Sequence, residues 1–129
     1  MAIGHKTTFD EDDTKVQMTG PRVLQIGKHL PPEHWDAESV GIMRFSGPVP
    51  GLLRGVLEEV AADRGSRQRL FLDAIQRLID TGLAVHGCDV SGLPWVDVDT
   101  PEDLAQVQRH PERYVASADA SQGLVGRPA

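Results

Sequence analysis

Two short β-favouring runs, Thr14–Met18 and Val23–Ile26, flank Thr19-Gly20-Pro21-Arg22, whose Gly and Pro are the punctuation of a hairpin turn. Beyond them Pro31-Pro32 forbids helix and keeps the loop His29–Ala37 extended. Ser39–Phe45, with Val40, Ile42, Met43 and Phe45, reads as a largely buried strand in which Gly41 marks a bulge or a close approach by ligand or backbone. From Pro50 the spacing changes. Leu52, Leu53, Val56, Leu57 and Val60 recur at three- and four-residue intervals, the stripe of an amphipathic helix ending near Gly65. A second stripe, Leu70, Phe71, Ala74, Ile75, Leu78 and Ile79, predicts a helix from about Ser66 to Thr81, with Gly82 as its C-terminal cap. Ala84–Val90 predicts another strand, and Trp95, Val96 and Val98 a short one that feeds a helix over Pro101–Gln108. The pattern predicts an α/β unit of about five strands and three helices.

The ends of the chain lack such patterning. Met1–Asp13 closes on the acidic run Asp10-Glu11-Asp12-Asp13 and is expected to be a flexible, solvated lead. After Tyr114, residues 115–129 are small and polar, too poor in large apolar groups to offset a backbone ordering cost of about 1–2 kcal/mol per residue, so a mobile tail is expected. The folded unit is therefore placed at 14–114.

Composition narrows the class. Apolar residues at 40% and charged residues at 25% are ordinary for a soluble domain, and no apolar run reaches the roughly 20 residues of a membrane helix. No signal peptide is evident, so the cytoplasm is the expected address and no membrane partner is expected. A formal charge of −6 without clustered Lys and Arg argues against a nucleic-acid partner. The single cysteine, Cys88, agrees with a reducing compartment and is expected to be a small core residue in a strand. The five histidines are scattered, and His86-Gly-Cys88 alone resembles a metal-ligand pair, which does not suffice for zinc.

The chemistry-bearing stretch is Gly92–Leu104. Asp97 and Asp99, two apart on a strand, project from one face. Thr100 stands where a helix N-cap belongs, Pro101 at the first helical position and Asp103 three residues after the cap. Paired carboxylates beside a helix N-terminus suit Mg²⁺, which keeps water and phosphate in its other positions. Equally, Asp99 and Asp103 could serve as capping groups alone, with Asp97 solvated.

Val-Asp-Val-Asp-Thr-Pro-Glu-Asp-Leu, following Gly-x-x-Trp, resembles the C-terminal signature of the nucleotidyltransferases that join a nucleoside triphosphate to a sugar phosphate, phosphocholine or related phospho-compound. The similarity extends over about Lys15–Gln108, through Ile26-Gly-Lys28 and Glu38-Ser-Val-Gly41-Ile-Met-Arg-Phe-Ser46. It implies an incomplete Rossmann-like sheet, the acceptor-binding half of such a domain. By resemblance, Lys28 is the lysine that neutralises the acceptor phosphate, and Glu38, Gly41 and Trp95 belong to the acceptor side. Asp97 or Asp99 corresponds to the metal carboxylate. The implied substrates are a nucleoside triphosphate, CTP in the phosphocholine or phosphonate branch that the motif order favours, and a phospho-acceptor, with a hexose 1-phosphate as the alternative. The family's Gly-rich nucleotide loop and mid-chain Asp have no counterpart here, so activity is not expected from this chain alone. A missing half on another chain, a non-catalytic remnant or assembly subunit, and self-association through an exposed sheet edge all follow as expectations.

Overall fold

A computed structural model describes residues 1–62 and 70–114, the side chain of Leu70 excepted. The chain divides into two compact units, Met1–Val90 and a second beginning at Ser91. The division falls inside the span 14–114 expected to fold as one. The expected end of the first helix at Gly65, the start of the second at Ser66 and the tail over 115–129 lie outside the described residues.

The first unit is a five-stranded mixed sheet with two helices. Its strands are β1 (Ala2–Gly4), β2 (Lys15–Thr19), β3 (Arg22–Gly27), β4 (Ala37–Ser39) and β5 (Cys88–Asp89), in the order β3-β2-β4-β1-β5. β1 and β5 are parallel; the other neighbours are antiparallel. Helix α1 (Val49–Ala62) packs on α2 (Leu70–Asp80), and α2 on β3. With α3 (Pro101–Arg109) in the second unit, the described residues contain the α/β complement of five strands and three helices that the periodicity predicts. Among them no helix is long and apolar enough to cross a membrane.

The core joins Val16, Val23 and Ile26 of the hairpin to Ile75 and Ile79 of α2. Burying each such side chain is worth about 1.5–3 kcal/mol, which is why the stripe on α2 and the inward face of the hairpin coincide. Helix α2 ends where Gly82 takes a φ of 96°. There the Gly82 and Leu83 N–H groups donate back to the Ile79 and Leu78 carbonyls at 2.9 and 3.0 Å, as a C-terminal glycine allows.

Four expectations are corrected. The lead is not wholly free: Ala2–Gly4 is an interior strand between β4 and β5, with Ile3 buried, and three residues are too few to show a period in the sequence. The strand expected over Ser39–Phe45 keeps its ladder only through Ser39. The chain then bulges at Gly41, with φ 78°, so that Ala2 accepts from the Val40 N–H and donates to the carbonyl of Ile42, two residues further on. Cys88 is exposed, because β5 is an edge strand of two residues with β1 as its ladder partner. Trp95–Val98 adopts no strand: β-favouring residues make a ladder only where a partner strand is present, and these have none among the described residues.

The outer edge of β3 is partly covered. The Gln76 side chain accepts from the Ile26 N–H at 2.9 Å and donates to the Leu24 carbonyl at 3.3 Å, and the Val23 N–H donates to the Val85 carbonyl at 2.8 Å. A helix side chain and a returning loop thus take up polar groups that a further strand would need.

Candidate functional site

Within the first unit, the loop between β1 and β2 and the loop between β3 and β4 fold around one aromatic pair. Phe9 and Trp35 lie 5.5 Å apart and tilted, and the Trp35 indole N–H donates to the Leu30 carbonyl at 2.7 Å. Lys15, at the start of β2 and almost wholly buried, donates from Nζ to the Asp10 and Glu11 carbonyls and sits 5.3 Å from the Trp35 ring centre. A buried ammonium is tolerable only with its donors satisfied, and here two carbonyls and a ring face do so.

Lys6 forms a second centre. Its Nζ lies 2.6 Å from Asp13 Oδ2 and 2.8 Å from Glu38 Oε2, and 5.6 Å from the Phe9 ring centre. Burial pulls the Lys6 ammonium down, but its hydrogen bonds to Asp13 and Glu38 outweigh that and hold its pKa above the ordinary value. Burial pushes Asp13 up, yet the bond from Lys6 and the Asp10 N–H, at 2.6 Å, bring it below the ordinary aspartate value. At Glu38 burial prevails: its pKa is raised, the Lys6 bond opposing the shift and the Asp13 charge adding to it.

These two loops border an open pocket of about 400 Å³ lined by Phe9, Asp10, Glu11, Lys15, Lys28, His29, Leu30 and Trp35. Lys28 enters it from the end of β3, exposed, with a long 3.5 Å contact to the fully exposed Asp12. Its charge is therefore available to a ligand in a way that those of Lys6 and Lys15 are not. Glu38 lies in β4, its carboxylate held by Lys6. Gly41 has open space where a Cβ would stand, so its positive φ serves the bulge rather than a close approach.

The remaining sequence-predicted residues belong to the second unit. Trp95 is half-buried, and Asp97 and Asp99 are exposed on the segment that enters α3. Thr100 caps that helix as its sequence predicts. Its hydroxyl accepts from the Asp103 N–H at 3.1 Å, while Asp103 Oδ2 accepts from the Thr100 N–H at 2.9 Å and its hydroxyl at 2.7 Å. These bonds hold Asp103 below the ordinary aspartate pKa. The capping box is made by Thr100 and Asp103, so the side chains of Asp97 and Asp99 are not consumed by it.

Lys28 and Glu38 thus share the first unit, each beside the paired loops, and Asp97 and Asp99 share the second. Among the described residues no group of three or more His, Cys, Asp and Glu gathers as a metal cage. A carboxylate pair fits Mg²⁺ only as two ligands among several, the others being water and phosphate oxygens. Sequence reasoning missed Lys6, Phe9, Asp13, Lys15 and Trp35. The available signal was Phe9, in an aromatic-poor chain, set between Lys6 and the acidic run Asp10–Asp13.

Comparison with known proteins found no matching family model and no matching solved structure. Among curated proteins, the chain is 34% identical over 91 residues to a protein of Rubrobacter xylanophilus named Bifunctional IPC transferase and DIPP synthase. The match takes in 70% of this chain, which spans about a fifth (19%) of that relative's length.

Proposed function

We propose that this chain is the acceptor-binding and metal-completing half of a nucleotidyltransferase, which joins a nucleoside triphosphate to a phospho-acceptor with release of pyrophosphate. The observation that carries the reading is the capped acidic turn. Thr100 and Asp103 complete the helix cap between them and leave Asp97 and Asp99 exposed just before the helix N-terminus. The relative whose name contains a transferase supports the class.

In this mechanism an acceptor phosphate oxygen attacks the α-phosphorus in line, forming a new phosphoanhydride as the bond to the leaving pyrophosphate breaks. Lys28 neutralises the acceptor phosphate so that two anions can approach. Asp97 and Asp99 would hold Mg²⁺, which when bound supplies charge neutralisation at the phosphates. Trp95, half-buried just before that turn, would contribute to acceptor binding. The triphosphate cradle, with CTP as the nucleotide, is assigned to a partner segment bearing a Gly-rich loop, because the remaining work is positioning that this half does not perform alone.

The test is reconstitution. The chain is combined with a nucleotidyltransferase N-terminal half carrying a Gly-x-Gly-x-Arg loop, and pyrophosphate release from CTP and Mg²⁺ is measured with a panel of phospho-acceptors. Turnover is expected, with Lys28→Met raising the KM for acceptor and Asp99→Asn lowering kcat by about 100-fold or more while the thermal midpoint holds. If Asp97→Asn and Asp99→Asn both keep full turnover, the carboxylates are structural. If no nucleotide is turned over with any acceptor, the chain is a non-catalytic subunit.

A further inference from the structure

The acidic run Asp10–Asp13 is a turn tied down on both sides of its tip. The Asp10 carbonyl accepts from the Lys15 ammonium and from the Asp13 N–H, the latter at 3.3 Å, and the Glu11 carbonyl accepts from Lys15 at 2.9 Å. The Asp13 carboxylate accepts from the Asp10 N–H at 2.6 Å and lies 2.6 Å from the Lys6 ammonium. The turn is thus closed on itself and anchored by two lysines, one of them buried. Asp12 stands apart from this bonding. Its side chain is fully exposed, and its one ionic or hydrogen-bonding partner among the described residues is Lys28, with Oδ1 at 3.5 Å from Nζ.

The carboxylate of Asp12 therefore holds no part of the turn, whereas the turn holds Asp12 within reach of Lys28. An ammonium has three donors, so a phosphate oxygen and a carboxylate can meet it together, but the two anions then repel across a few ångströms. Phosphate at Lys28 must either turn the Asp12 side chain away or bear that repulsion. With its neighbours anchored, the turn leaves Asp12 only its own side-chain rotation as a way out. Because the contact is long and exposed it is weak, so it loosens phosphate without closing the site.

We propose that Asp12 is a built-in counter-ion of Lys28, which neutralises the ammonium until an anionic phosphate displaces it. The inference rests on the assignment of Lys28 to the acceptor phosphate. Its consequence is a higher KM for the phosphate with kcat untouched, because the contact opposes ground state and transition state alike.

The test is an NMR titration of the full chain with inorganic phosphate in its dianionic form, following the Lys28 amide and the Asp12 carboxyl ¹³C signal. Phosphate is expected to move the Asp12 carboxyl in the same direction as Lys28→Met does, since both take away its cation. Asp12→Asn should tighten phosphate about two- to fivefold, the range open to one exposed ion pair, while Asp12→Glu should stay near the unsubstituted chain. The urea midpoint should not change in either variant, because the side chain is fully exposed; a merely structural residue would move it. Glu11→Gln removes the same charge from the adjacent exposed residue and should give only a small part of the gain. Unaltered or weaker binding in Asp12→Asn, a lowered midpoint there, an equal gain in Glu11→Gln, or an Asp12 carboxyl that phosphate does not move overturns the counter-ion role and leaves Lys28 as the phosphate ligand. No phosphate-induced shift at Lys28, with or without Asp12, overturns both.

Discussion

The two regions that carry the candidate chemistry are built in opposite ways. The loops around Phe9 and Trp35 are held by long-range contacts: a buried lysine on loop carbonyls, a lysine shared between two carboxylates on separate segments, and an indole bonded to its neighbouring turn. The acidic turn before α3 is held by contacts between Thr100 and Asp103, three residues apart. A pocket made the first way is shaped by the fold itself, before any ligand arrives. Carboxylates presented the second way stand exposed beside one cap, and Mg²⁺ held there would still require water and phosphate oxygens. The contrast teaches that two candidate sites on one chain need not be equally preformed.

Three experiments would break or sharpen that contrast. The largest effect is expected from Lys15→Met, which keeps the aliphatic stem and removes the ammonium. Two loop carbonyls and a ring face lose their partner, so the first unit should lose about 2 kcal/mol in urea titration, with increased hydrogen exchange over residues 9–14. An unchanged midpoint would mean that the loops are held by something other than Lys15. Next is Thr100→Ala, which removes the cap and should cost α3 about 1 kcal/mol, read as faster amide exchange at Asp103 and Leu104. Protection undiminished there would show that the turn is not locally specified.

The smallest effect is in pH. Glu38, with its pKa raised in the folded state, takes up its proton first as pH falls; the stability this contributes is fully present below its ordinary value and is lost as pH rises through the raised one. Asp13, with its pKa lowered, resists until below the ordinary aspartate value, and there the stability it contributes is lost. Lys6 should therefore release Glu38 before Asp13, in two separate steps seen by carboxyl ¹³C shifts; one joint step at the ordinary carboxylate pH would remove the ion-paired triad as an organising feature.

How much of this was legible in the sequence depended on how local the cause was. The cap at Thr100, the bulge at Gly41, the end of α2 at Gly82 and the hairpin at Gly20-Pro21 are set by residues within a few positions of one another, and each is where its sequence signal places it. β1 was not legible, because Ala-Ile-Gly becomes a strand only through β4 and β5, whose pairing residues lie 34 to 86 positions away. The same holds for Asp10–Asp13. An acidic run reads as solvated until Lys6 and Lys15, on either side of it, are seen to fold its carbonyls and one of its carboxylates inward. Conversely, Trp95–Val98 has strand propensity and no ladder, since propensity names a preference and only a neighbouring strand satisfies it.

The amide of Gln76 bears on how this sheet could ever be extended. By imitating a strand's alternating donor and acceptor against Leu24 and Ile26, it makes β3 a poor template, so that the two ends of the ladder are unequal as seeds for growth. A graft, a fused segment or a fibril-forming neighbour that approached β3 would have to evict a side chain anchored to Asp80 at 2.8 Å before its first bond could form. Replacing that glutamine by leucine would free the Ile26 N–H and the Leu24 carbonyl, while the Val85 loop would still hold the Val23 end of the edge.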